Sequence, residues 1–275
     1  MATAQDIPSR SYGVLKRDLV EDDVDEIVEQ VRSQGYAVLD SGLGADALRS
    51  LSKTFERTRE RYIEAYGETR LKAADEYWTI RAPLTLGGSE FLALALNERL
   101  LSVVKRLIPG KFILNQQNGV INPPGQTYNQ SAWHRDLPYQ HFISSAPIAV
   151  NALFCVDEFT MQNGATFVLP ASHKVEAFPS ANYVTRNALQ LEVSAGSFIL
   201  LDCMLFHAGG FNRTASPRCA VNQLYTIPFF KQQINIPSNL KNSENLSSEV
   251  KDILGFNHPE PETIADYIAR RRRKE

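Results

Sequence analysis

The stretch "GSFILLDCMLFHAGG", Gly196–Gly210, is an apolar run fenced by glycines. Its length and its Phe, Ile and Leu content predict a buried strand rather than a helix. The run closes on His207, and a basic imidazole at the end of an apolar strand needs a partner. That partner is either a backbone carbonyl or a metal ion. Runs of the same texture surround it: "KFILNQQNGVI" (Lys111–Ile121), "IAVNALFCVD" (Ile148–Asp157), "ATFVLP" (Ala165–Pro170) and "RCAVNQLYTI" (Arg218–Ile227). Short strands at close spacing, punctuated by Gly, Pro, Asn and Ser, predict a sandwich or barrel.

The N-terminal third reads differently. In "VEDDVDEIVEQVRSQG", Val24, Ile27, Val28 and Val31 share a helical face, and Gly35 can end the helix. "YAVLD" follows as a short strand. Leu48, Leu51, Phe55 and Tyr62 mark a second amphipathic helix. "SEFLALALNERLLSVVKRLIPG" is a third helical stretch, broken near Asn97 and stopped by Pro109-Gly110. The expected fold is mainly β with supporting α: a jelly roll from about residue 111 to 230. Helices from about residue 15 to 110 back it, and a loop and helical tail follow from about 231 to 275, all in one domain spanning 1–275.

At 275 residues the chain can bury a large core without staples, and its net charge of −2 gives no reason to expect nucleic acid as a partner. Three widely spaced cysteines, Cys155, Cys203 and Cys219, fit a reducing cytosol better than a disulfide framework. The opening residues show no signal-peptide pattern and no apolar run is long enough to span a membrane, so a cytoplasmic protein with no membrane partner, monomeric or homodimeric, is expected. The basic end "IARRRRKE" reads as a solvated charge cluster.

Chemistry concentrates in "SAWHRDLPYQHF", Ser131–Phe142. On extended backbone, His134 and Asp136 point to one side. An imidazole and a carboxylate together suit a divalent metal, although a direct His–Asp hydrogen bond gives the same spacing. Adding His207 makes a two-histidine, one-carboxylate set of the kind that binds non-haem iron and leaves positions open. Arg218, eleven residues beyond His207, starts the next strand and can reach the same cavity. A buried guanidinium needs an anion, either a carboxylate ligand or an internal partner such as Asp202 or Glu192.

With these residues in order, the chain resembles the phytanoyl-CoA dioxygenase family over about residues 20 to 230. The turn "QNGATFVLPASHK" and the strand carrying His207 are similar to that family's segments. The resemblance implies a double-stranded β-helix (jelly-roll, cupin-like) oxygenase using Fe(II), 2-oxoglutarate and dioxygen. It implies His134, Asp136 and His207 as metal ligands, and Arg218 as the grip on the far carboxylate of 2-oxoglutarate. Gln117 resembles the glutamine that approaches the other end of the co-substrate, unless it is a plain strand amide. Gly209 departs from the hydroxyl residue usual two positions after the distal histidine; Thr166 or Tyr128 would replace it. Ala171 stands where the turn usually has glycine, and His173 is expected to cap that turn rather than bind metal. Because Asp136 is a carboxylate and not a small residue, oxygen chemistry rather than halogenation is implied, with hydroxylation of a small-molecule substrate first. Desaturation, ring closure and epimerisation use the same ligands. Trp78, Arg81, Tyr139 and Gln140 are candidate substrate contacts. Two rivals remain: a non-redox cupin-like metal enzyme, which would need no 2-oxoglutarate and would not explain Arg218, and a non-catalytic jelly-roll binding module carrying His134 and His207 structurally, which would bind no iron.

Overall fold

The structure is a computed structural model that describes residues 7–8, 10–138, 142–241 and 243–271. Helix α1 (Asp23–Gln34) starts where the Asp22 side chain accepts from the Asp25 backbone N–H at 2.9 Å. It ends at Gly35, whose φ of 84° lies in the left-handed region. Val28 and Val31 are its buried face. Strand β1 (Tyr36–Asp40), α2 (Ala45–Tyr66), α3 (Glu68–Ala73) and β2 (Thr79–Arg81) follow. The expected break near Asn97 is there: α4 (Ser89–Ala95) stops, and the Asn97 side chain caps α5 (Glu98–Leu107) by accepting from Leu100 N at 3.0 Å. Residues 10–22 carry no helix, so the helical support starts later than expected.

The β-rich part holds β3 (Ile113–Asn122), β4 (Ala149–Cys155), β5 (Phe167–Val168), β6 (Leu189–Gln190), β7 (Ser197–Asp202), β8 (His207–Ala208) and β9 (Arg218–Thr226). Helix α6 (Ala181–Asn187) lies before β6, and α7 (Ile236–Asn239), α8 (Ser248–Ile253) and α9 (Ile264–Arg271) follow β9. Two antiparallel sheets form, one ordered β1-β7-β4-β9-β3-β2 and one ordered β6-β5-β8. This is the expected jelly roll, with two corrections. The N-terminal part lends β1 and β2 to the two edges of the large sheet. The run Gly196–Gly210 is also two strands: β7 ends at Asp202, the chain turns, and β8 joins the other sheet. That crossing carries His207 onto the small sheet, opposite the large one.

Apolar packing on both faces of the large sheet holds the fold. One face of the large sheet, with Phe154, Phe198, Val221 and Tyr225, packs on Phe55, Phe91, Leu100 and Val104 of the helices. Its other face, with Val120, Leu153, Ile199 and Ala220, packs on Val168 and Leu205 between the sheets. Among the described residues, no helix is long and apolar enough to cross a membrane.

Candidate metal and co-substrate site

His134 pairs with His207 as an isolated antiparallel bridge, each backbone N–H donating to the other's carbonyl at 3.0 and 3.1 Å. The two rings stand with centroids 4.3 Å apart. Both Nδ1 atoms face main-chain carbonyls: His134 toward Ala132 O at 2.8 Å and His207 toward Leu205 O at 3.1 Å. A carbonyl only accepts, so Nδ1 is the donor in each contact, and Nε2 is the ring nitrogen left for a ligand. His207 Nε2 lies 3.7 Å from Asp136 Oδ1. Burial lowers the His207 pKa, opposed by Asp136 and reinforced by His134, so the imidazole is held neutral. One ligand atom from each of His134, Asp136 and His207 falls within 4.8 Å of the others. Two imidazoles and a carboxylate are a donor set fitted to a divalent transition metal.

Alternation along the extended backbone puts Arg135 on the opposite side. Its guanidinium donates to Met204 O at 2.7 Å, Glu176 O at 3.1 Å and Ser172 O at 3.2 Å, and it stacks on Phe206. It thereby ties the segment between the ligands to the Ser172–Lys174 turn. His173 lies in that turn, buried, with Nε2 3.1 Å from Arg32 O, and among the described residues it joins no cluster of candidate metal ligands.

The cavity beside the histidines is lined by Val120, Leu153 and Ala220 and by Tyr128, Thr166 and Arg218. Arg218 is only 3% exposed, yet its Nε and Nη1 have no hydrogen-bond partner. Its guanidinium lies 3.7 Å from the Phe159 ring centroid, with the Tyr128 hydroxyl in the same cavity wall. Neither Asp202 nor Glu192 takes the internal-partner role: Asp202 accepts from Met204 N and Glu192 from Met161 N. Gly209 explains the missing hydroxyl at its own position. A Cβ built there would lie 2.3 Å from the Tyr128 hydroxyl oxygen, so the tyrosine fills the space a side chain would need. Thr166 lines the same cavity.

Other expected site residues lie elsewhere. Gln117 faces the helices: it donates to Phe91 O at 2.8 Å and to Gln223 Oε1 at 3.0 Å, and accepts from Leu84 N at 3.2 Å. The residue after it, Asn118, takes the inner face, opposite Asn222. Trp78 packs against the helix-side core under the Arg59 guanidinium. Arg81 lies across from Asn118 but is held by Glu76, with Nε to Oε2 at 2.8 Å, and is absent from the cavity lining. Tyr139 and Gln140 lie outside the described residues. Two cavity residues that sequence reasoning missed are Asn151 and Asn222. Each interrupts an apolar strand ("IAVNALF", "CAVNQLY"), and a buried amide in such a run signals a partner.

Known proteins share the sequence pattern and the fold of this chain. The family model for phytanoyl-CoA dioxygenase (PhyH) matches residues 31–220. An uncharacterised protein of Mycobacterium tuberculosis is 34% identical over 217 residues, covering 77% of this chain and 78% of its own. The dioxygenase af480 of Aspergillus fumigatus is 29% identical over 175 residues, covering 59% of this chain and 53% of its own. Among solved structures, EctD from S. alaskensis with 2-oxoglutarate and 5-hydroxyectoine superposes with a TM-score of 0.61 at 20% identity, covering 85% of this chain and 86% of that one. The epimerase SnoN with Fe3+, alpha-ketoglutarate and nogalamycin RO gives 0.58 at 17% identity, covering 81% and 92%.

Proposed function

The chain belongs to the phytanoyl-CoA dioxygenase family and is a non-haem Fe(II)/2-oxoglutarate-dependent dioxygenase, and from that premise we propose that it hydroxylates a C–H bond of a small-molecule substrate. The observation that carries this reading is Arg218: a buried guanidinium with unpartnered Nε and Nη1, opening on the cavity that the two histidines line. An unmet buried charge is costly, and a carboxylate that arrives with the ligand meets it.

His134, Asp136 and His207 would hold Fe(II) through two Nε2 atoms and one carboxylate oxygen, leaving positions open for co-substrate and dioxygen. Bound iron with 2-oxoglutarate supplies the oxidation: one atom of dioxygen enters the substrate C–H bond as hydroxyl, and the other ends in succinate as CO2 leaves. Arg218 binds the far carboxylate through paired N–H donors, and the apolar walls Val120, Leu153 and Ala220 strengthen that attraction by excluding water. The Tyr128 hydroxyl, already beside the guanidinium, orients the same carboxylate from the space above Gly209, with Thr166 on the same cavity wall. Burial raises the Tyr128 pKa, so the phenol keeps its proton and can donate it to a carboxylate oxygen. The carboxylate at Asp136 favours oxygen transfer over halide capture. Three unpaired cysteines support a reducing, cytosolic setting.

The test begins with a screen of small metabolites for substrate-stimulated succinate release by the Fe(II)-loaded protein. Turnover of each hit is then run under 18O2. Hydroxylation predicts one labelled oxygen in the product. Succinate formed beside an unlabelled, desaturated, cyclised or epimerised product would overturn hydroxylation and leave the dioxygenase assignment standing.

A further inference from the structure

We propose that Asn151 is a positioning residue that turns the Asp136 carboxylate toward the metal position between His134 and His207. The inference rests on the metal reading above. Asn151 is the third residue of β4 and only 1% exposed. Its cross-strand neighbours on the large sheet are Leu201 and Leu224, so nothing polar on the adjacent strands satisfies it. Its Nδ2 donates to Asp136 Oδ2 at 2.7 Å. A carboxylate accepts and does not donate, so the amide orientation follows: nitrogen to Asp136, oxygen away.

The anchor matters because Arg135 and Leu137 hold the main chain on either side of Asp136 without touching its carboxylate. His134 makes only the isolated bridge to His207, and no ladder continues through Asp136. The main chain there is tied to the turn after β7, Asp136 N donating to Cys203 O at 3.1 Å. With Oδ2 taken by Asn151, Oδ1 is the oxygen that faces His207 Nε2 at 3.7 Å. An amide that served the strand alone would close both of its polar ends. Asn151 closes one: its Oδ1 is buried with no partner in the cavity wall. Residues that hold a metal ligand in orientation typically change metal affinity about 10- to 100-fold when removed.

The experiment titrates Fe(II) anaerobically into the metal-stripped full chain, parent beside Asn151→Leu, Asn151→Ala and Val150→Ala. Val150 is the neighbour on the same strand that faces the helices. The metal-free melting temperature and the visible charge-transfer band of the Fe(II)–2-oxoglutarate complex are recorded for each. The expected result is iron affinity lowered about 10- to 100-fold in both Asn151 variants, with a displaced band and a nearly unchanged metal-free melting temperature. Val150→Ala should show the reverse: lower melting temperature and parental iron affinity. The two Asn151 variants guard against misfolding, since alanine removes the amide without adding branching. Folded Asn151 variants that bind Fe(II) within about twofold of a binding-competent parent would overturn the inference alone. A parent that binds no Fe(II) would overturn the metal reading and this inference with it.

Discussion

Strand β9 shows two chemistries on alternate residues. Toward the helices it presents Val221 and Tyr225, and the tyrosine hydroxyl donates to Ala95 O at 2.7 Å. Toward the small sheet it presents Arg218, Ala220 and Asn222, which line the cavity. The polar groups of the helix side are mostly closed on one another, as Gln117 is with Phe91, Leu84 and Gln223, although Gln223 Nε2 is left over. On the inner side, Arg218 Nε and Nη1, Asn151 Oδ1 and Asn222 Oδ1 are buried without partners. Buried polar groups are normally paired, so a concentration of unpaired ones on one face marks where a ligand completes the protein. One face of the large sheet is built for stability, the other for occupancy.

That contrast can be broken by substitutions on either side. The largest effect is expected at His207. His207→Ala should abolish iron binding and succinate formation while the metal-free protein keeps its melting temperature, read by iron titration and calorimetry. Retention of stoichiometric iron would remove His207 from the ligand set. On the helix side, Phe154→Ala removes a ring packed on Phe198 at 5.1 Å between centroids. It should destabilise the chain by about 3–5 kcal/mol in denaturant unfolding, yet leave 2-oxoglutarate affinity unchanged in the folded fraction. A loss of affinity there would mean the two faces are coupled. The smallest effect belongs to the turn at Ala171, whose φ of 61° is left-handed without being glycine. Ala171→Gly should relieve that strain and raise stability by about 0.5–1 kcal/mol, with turnover unchanged. A lower melting temperature would show that the alanine is not strained.

The metal cluster was legible because its signal is local: His134 and Asp136 share a side through two-residue alternation, and His207 closes an apolar run. The Arg218 placement followed from a strand start eleven residues on. What was not legible was parity. Strand β3 is buried on both faces, so it carries no inside–outside alternation. A bulge between Leu114 and Gln116 shifts its register by one residue. The resemblance pointed Gln117 toward the co-substrate, with a plain strand amide as the alternative; the structure turns it to the helices, and its neighbour Asn118 takes the inner face. Trp78 failed for the same reason, since an aromatic beside a strand fits either side. The division of Gly196–Gly210 between two sheets was hidden because Cys203–Phe206 is as apolar as a strand while turning a corner. The substitute for a hydroxyl at Gly209 needed the fold, because Tyr128 is eighty-one positions earlier in the chain.

Whether the inner face holds 2-oxoglutarate is decided by one titration. Iron-loaded, oxygen-free protein is titrated with 2-oxoglutarate and followed by its visible charge-transfer band, in the parent, Arg218→Ala and Gln117→Leu. Losing a charge-assisted paired contact corresponds to roughly 2–5 kcal/mol, or about 30- to several-thousand-fold in affinity. The predicted result is that loss for Arg218→Ala at undiminished iron content, with Gln117→Leu binding as the parent does. Parental 2-oxoglutarate affinity in Arg218→Ala, or a comparable loss in Gln117→Leu, would contradict it.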